Sequence, residues 1–322
     1  MEKRIEELDY LKCVFIILMI IFHLVYIGDK YPYVKSVVYT FHMPGFLIIS
    51  GYLLNTKKKT SSFLQMMIWI FIPYMIMESG YTFMAFILPI REHITELTPW
   101  IFIKKIFIAP LGPYWYLHTL ILCSVVWYFL NKLVFCKPIE RFILLGLSFL
   151  ALSYAGLMSF NNAIFFMAGA IVRQSNIPFI SIFQPSKLSL LPLILLCAFP
   201  DNLNRGTLAG IIITYLSISF LLSLYPYLPV LLKSASSFIG RNTLILLLFS
   251  PIFTLLSKPF VPIFSFDPSG ILFTVIAVSF TLFGSFGIAW IMDKLNITQF
   301  FLGKEKALSF IRTHHKRIRK NV

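Results

Sequence analysis

About ten apolar runs, separated by short basic or turn-rich breaks, constrain this chain more than any other feature. A segment inside hydrocarbon must satisfy its backbone polar groups internally, so runs of this length read as helices. They fall at about 13–28, 37–54, 63–90, 111–133, 142–157, 160 to a fade in "VRQSNIP", 188–199, 206–225, 243–257 and 271–292. The third is long enough to tilt, with Pro73 as a kink point. The seventh is short and reads as a re-entrant or deeply buried piece. With 58% hydrophobic and only 13% charged residues, the chain departs from soluble composition, which is nearer a quarter charged. Its 34 phenylalanines suit lipid-facing surfaces.

A net charge of +15 raises the question of nucleic acid, but the basic residues cluster between the apolar runs. Neither zinc-finger spacing nor a helix-turn-helix signal accompanies them, so no nucleic acid partner is expected. With the N-terminus inside and every run spanning, Lys and Arg favour the cytoplasmic side roughly threefold. The expectation is an all-α polytopic membrane protein, a single bundle of about ten transmembrane helices with both termini cytoplasmic. Residues 1–293 form the transmembrane domain and 294–322 a basic, solvated or surface-lying cytoplasmic tail. No small-x-small cleavage site follows "MEKRIEELDYLK" and its apolar run, which reads as an uncleaved first helix. Cys13, Cys123, Cys136 and Cys197 contain no close pair and give neither a disulfide framework nor a metal cluster.

Polar residues inside such runs need a reason. Lys12 and His23 are eleven positions apart, nearly three turns, and share one helix face roughly 16 Å apart. Asp9 lies one turn before Lys12 and can pair with it. His42 opens "FHMPGFLIISGYLLNTKKK", whose lysines resemble a stop signal, and a short outer loop brings it toward His23. No third ligand stands at motif spacing, with His93 and His118 only remote candidates, so no metal is expected. A neutral imidazole suits proton abstraction better. Against these readings stand the bland ones: a snorkelling Lys12, a structural hydrogen bond at His23, and aromatics that simply fill helices.

"LDYLKCVFIILMIIFH" followed by "YTFHMPGFLIISGYL" resembles the opening of the acyltransferase-3 family. "GPYWYLHTLIL", "IFFMAGAIVR" and "FIGRNTLILLLFSP" resemble later family segments, so the resemblance covers most of the chain. The family's basic residue and first-helix histidine map onto Lys12 and His23. Its second-helix phrase maps onto His42, Pro44, Phe46, Ser50 and Gly51, and its Trp-aromatic-Leu segment onto Trp115, Tyr116 and Leu117. Three departures stand out: Lys12 where arginine is usual, Ser250-Pro251 where many relatives carry histidine, and no basic residue ahead of Pro73-Tyr74.

The resemblance implies a membrane O-acyltransferase with no bound cofactor. It would move an acyl group, acetyl by family frequency, from cytosolic acyl-CoA to a hydroxyl of a surface polysaccharide or lipid-linked glycan. The setting would be the lipid bilayer of a bacterial cytoplasmic membrane. His23 and His42 are the expected catalytic residues, with His23 as base and His42 positioning a reactant or shuttling a proton. Lys12 and Arg241 would meet acyl-CoA, and Tyr52, Trp115 and Tyr116 would line the substrate pocket. Asp9, Pro44, Ser50 and Gly51 are read as structural, the Ser-Gly pair serving close helix packing. Two other readings share these features: a flippase for a lipid-linked sugar, and an inactive membrane interaction protein that kept the architecture.

Overall fold

The computed structural model describes residues 4–88, 92–133 and 137–309. Among them the chain is helical, without strands. The helices are α1 (Glu6–His23), α2 (Val25–Lys30), α3 (Pro32–Leu53), α4 (Thr60–Ile87), α5 (Pro99–Phe107), α6 (Trp115–Leu133), α7 (Pro138–Tyr154) and α8 (Phe160–Gln174). They continue with α9 (Phe179–Ile182), α10 (Leu190–Cys197), α11 (Leu208–Leu224), α12 (Val230–Arg241), α13 (Thr243–Leu256), α14 (Ile271–Lys294) and α15 (Thr298–Leu302).

This is a multi-pass membrane protein. Five helical stretches are long and apolar enough to cross a bilayer: Pro32–Leu53, Thr60–Ile87, Gly112–Leu133, Leu208–Tyr227 and Ile271–Lys294. A sixth is counted if α12 and α13, bent by 83° at Asn242, form one broken span. The ten expected spans are therefore reached only in part among the described residues. In α1, Glu6, Glu7, Asp9 and Lys12 dilute the apolar run, while α7 and α8 have 17 and 15 residues. The expected seventh run folds as a short turn and the eight-residue α10, too short to span. An apolar run serves a lipid-facing span and a buried core helix equally, so hydropathy alone does not fix the span number.

The core is built around α3, whose apolar face and much of whose circumference are buried. It lies against α8 backbone to backbone. A Cβ added at Gly51 would stand 2.0 Å from the Phe166 carbonyl oxygen, and one at Gly169 would stand 1.9 Å from that of Ile48. Pro44 inside α3 has no amide to offer the Thr40 carbonyl. Thr214 Oγ1 of α11 lies 3.2 Å from that oxygen and 2.8 Å from its own Gly210 carbonyl, sharing one proton between them. In α13, Pro251 likewise withdraws the amide that Leu247 would meet.

The expected tail begins by folding back. Asp293 accepts Thr298 Oγ1 at 2.6 Å and the Ala307 amide at 2.7 Å, and Asn242 accepts the Ser309 amide at 2.8 Å. Ala307 and Leu308 are buried there, and residues 310–322 lie outside the described residues. Cys13, Cys123 and Cys197 are free thiols, and Cys136 lies outside the described residues.

Candidate active site

His23 closes α1 because Leu24 turns to extended backbone (ψ 104°) before α2 begins. Its Nδ1 lies 2.7 Å from the Met19 carbonyl oxygen. His42 repeats the arrangement inside α3, with Nδ1 2.7 Å from the Val38 carbonyl oxygen. A carbonyl only accepts, so Nδ1 donates in both rings and each Nε2 presents a lone pair. His42 Nε2 is buried and has no hydrogen-bond partner among the described residues. The Tyr39 ring stands between the two, 6.2 Å from His23 and 5.1 Å from His42.

Both imidazoles line one cavity of about 150 Å³, together with Tyr39, Pro113, Trp115 and Arg205. Arg205 reaches in from the loop before α11 and lies over the Trp115 ring, 5.3 Å from its centroid. Burial lowers its guanidinium from the ordinary arginine value, yet it remains cationic at neutral pH. The cavity therefore joins two bases and one fixed positive charge, a set able to move a proton and to meet developing negative charge. The wall carrying Pro113 and Trp115 is tied down by two glutamate side chains. Glu78 accepts the Leu111 amide and Glu92 the Gly112 amide, each at 2.7 Å.

At the end of the bundle where α1 begins, Asp9 is buried and holds three cations. Arg4 meets it at 2.6 Å, Lys12 at 2.8 Å and Arg241 at 3.5 Å. Arg241 arrives because Gly240 lets α12 touch α1; a Cβ there would stand 1.9 Å from the Asp9 carbonyl oxygen. The expected Asp9–Lys12 pair is thus present and joined by Arg241, but none of the three borders the histidine cavity.

A separate polar basin of about 1030 Å³ opens among the C-terminal ends of α3, α6 and α8. Lys57, Lys132, Arg141 and Arg173 line it beside Tyr52 and Trp127, and no carboxylate lines it among the described residues. The Arg173 guanidinium lies 5.6 Å from the Tyr52 ring centroid.

Of the residues expected at the site, the structure brings together His23, His42 and Trp115. Tyr52 lies in the basin instead, and Tyr116 is buried against Phe46 with its hydroxyl 2.8 Å from Ser50 Oγ. Ser50 therefore fastens α3 to α6, and Gly51 seats α3 on α8. His93 and His118 each face a backbone carbonyl, of Leu88 and Phe107. Among the described residues no three His, Cys, Asp or Glu side chains gather as metal ligands. Sequence reading missed Arg205, which stands in no motif, and Tyr39, whose ring needs the hairpin geometry to be noticed.

Neither curated proteins nor solved structures give a match to this chain. A family description does: residues 5–290 match the acyltransferase domain of the acyltransferase-3 type, and the chain belongs to that family.

Proposed function

We propose that the protein transfers an acyl group, acetyl in the simplest case, from acyl-CoA to a hydroxyl of a surface or lipid-linked carbohydrate at a bacterial cytoplasmic membrane. The observation that carries this reading is the pair of Nδ1-anchored imidazoles presenting Nε2 toward one cavity beneath Arg205. In the proposed reaction His23 Nε2 takes the acceptor's hydroxyl proton while the oxygen attacks the thioester carbonyl. Arg205 meets the oxyanion, the C–S bond breaks, and the proton returns to the departing CoA sulfur. His42 Nε2 accepts a hydrogen bond that orients the reactant.

The donor's nucleotide end is assigned to the polar basin. Its four cations suit a phosphate-rich ligand, and Trp127 and Tyr52 suit a base. Tyr52 stands ten residues along α3 from His42, about 15 Å, a distance the donor's arm must cover. Lys12 and Arg241 are assigned to acyl-CoA approach as well as to holding α1 to α12, since Asp9 offers one negative charge to three cations.

The test is transfer of labelled acetyl from acetyl-CoA in membrane vesicles carrying native glycan. Wild type should label glycan, and equally expressed His23→Ala should lose ~10²–10⁴-fold of the rate. Equal labelling in both removes His23 from its role. Absence of labelling by wild type across native glycans, together with no acyl-CoA binding, returns the chain to the flippase or inactive reading.

A further inference from the structure

His23 borders two compartments. On one side is the small cavity it shares with His42 and Arg205; on the other is a chamber of about 500 Å³ between α4 and α13, with Met77, Tyr81, Tyr114 and Leu255 among its walls. The chamber is mostly apolar, and its walls include Ser250 and Pro251, the residues that depart from the family pattern. It is not sealed from the membrane. Ile76, Met84 and Ile252 on its walls are 47%, 39% and 38% exposed. Apart from His23, the one ionisable cation among its described lining residues is Lys258, directly after α13. Lys258 is exposed and makes no salt bridge among the described residues.

We propose that this chamber seats the hydrocarbon chain of a phosphate-headed lipid that carries the acceptor sugar, with the phosphate against Lys258 and the sugar passing His23. The inference rests on the acyl-transfer reading and selects, from surface and lipid-linked acceptors, the lipid-linked one. Three observations converge on that occupant. The walls match a hydrocarbon chain, and the opening faces the membrane from which such a chain would come. The single cation at the rim complements a phosphate. The chamber meets the histidine cavity at the His23 imidazole, where an acceptor hydroxyl has to arrive. An acyl chain on the donor would fill the same walls but leaves Lys258 without a counter-charge. An ordinary phospholipid would satisfy Lys258 but brings no sugar hydroxyl to His23.

The experiment is photolabelling of the full chain in phosphatidylcholine nanodiscs with a diazirine-bearing dodecyl phosphate, with dodecanol carrying the same diazirine as the second arm. Adducts are mapped by mass spectrometry. Wild type should show saturable labelling at Met84 and Ile252, prevented by excess polyprenyl-phosphate sugar and stronger for the phosphate probe than for the alcohol. Gly80→Phe projects into the chamber from a position where an added Cβ meets nothing within 4 Å. It should reduce the saturable labelling at least tenfold while leaving labelling of the lipid-facing Ile68. Gly287→Phe, on α14 and equally unobstructed, should leave both unchanged. Lys258→Gln should bring the phosphate probe down to the level of the alcohol.

Unchanged chamber labelling in Gly80→Phe overturns the proposal. So does competition by phosphatidylglycerol as strong as that of the lipid-linked sugar, which would mean ordinary membrane lipid. Competition by dodecyl-CoA without competition by the lipid-linked sugar assigns the chamber to the donor and overturns it too. Labelling is read without turnover, so a failed transfer assay with intact labelling refutes the reaction and not the lipid site.

Discussion

Glu78 is fully buried in the second half of α4. One carboxyl oxygen accepts the Leu111 amide at 2.7 Å, and the other has no hydrogen-bond partner among the described residues. Replacing it by Leu removes the acceptor and strands the Leu111 amide in a dry setting, at about 1–3 kcal/mol. Two effects offset part of that cost. The second, partnerless oxygen disappears, and Leu nearly fills the vacated volume, so little cavity term is added. The net expectation is a loss of about 1–2 kcal/mol. Thermal unfolding in detergent, followed by a thiol-reactive dye at buried Cys13 and Cys123, should then fall by about 2–8 °C. Glu78→Gln keeps a carbonyl for Leu111 and should melt within about 2 °C of wild type. The functional effect should be larger than the thermal one, because this bond holds the turn that brings Pro113 and Trp115 to the histidines. A displacement there of about 1 Å should cost roughly 100-fold in transfer. If Glu78→Leu melts and turns over like wild type, the turn is held by something else. If Glu78→Gln fails as badly as Leu, charge and not the hydrogen bond is what matters.

Gly51→Ala and Gly169→Ala each drive a methyl into a backbone oxygen and should cost about 1–3 kcal/mol in melting assays, whereas Gly80→Ala meets open space and should be neutral or slightly stabilising. Charge removal in the basin, by Lys57→Gln or Arg173→Gln, should raise the KM for acetyl-CoA with kcat unchanged, more strongly at low salt than at high. Arg205→Lys should keep part of the rate that Arg205→Met loses, since a cation is retained without the planar fork. The Asp267 carboxylate is held below its ordinary range by hydrogen bonds from Ser269 Oγ, the Leu272 amide and the Ser269 amide. Its support of the α14 start should therefore be present above the ordinary carboxylate range and vanish as pH falls through the lowered value; a melting-versus-pH curve for Asp267→Asn should lack that acid-side decline.

Part of the candidate site was legible because it is local. The Asp9–Lys12 pair, outside the cavity, follows helix periodicity, and the short connection from His23 into α3 makes a shared cavity with His42 nearly unavoidable. Trp115 came with a recognisable phrase. Arg205 was not legible, since its place over Trp115 is decided by how a loop some ninety residues later packs, which no periodicity encodes. The same limit hid α12, an amphipathic helix whose basic and serine residues resemble a loop until Gly240 is seen against α1. Hydropathy does not fix the span number where apolar residues face protein: α8 presents Phe165, Phe166 and Gly169 inward. Tyr52 and Tyr116 suit a pocket by residue type; their helix positions direct Tyr52 to the basin and Tyr116 to Ser50.

The Asp9 cluster also sets an order of assembly. Arg241 leaves the ribosome about 230 residues after Asp9, a delay of roughly ten to fifty seconds at ordinary synthesis rates. Throughout that interval α1 carries its charged edge with only Arg4 and Lys12 for company. An early N-terminal helix of this kind is a poor candidate for immediate, permanent release into lipid. Its full set of partners is present only once α12 lays Gly240 over Asp9. Completion of the Asp9 cluster would then report synthesis of about three-quarters of the chain, so a truncated product lacking α12 would leave its earliest helix without Arg241.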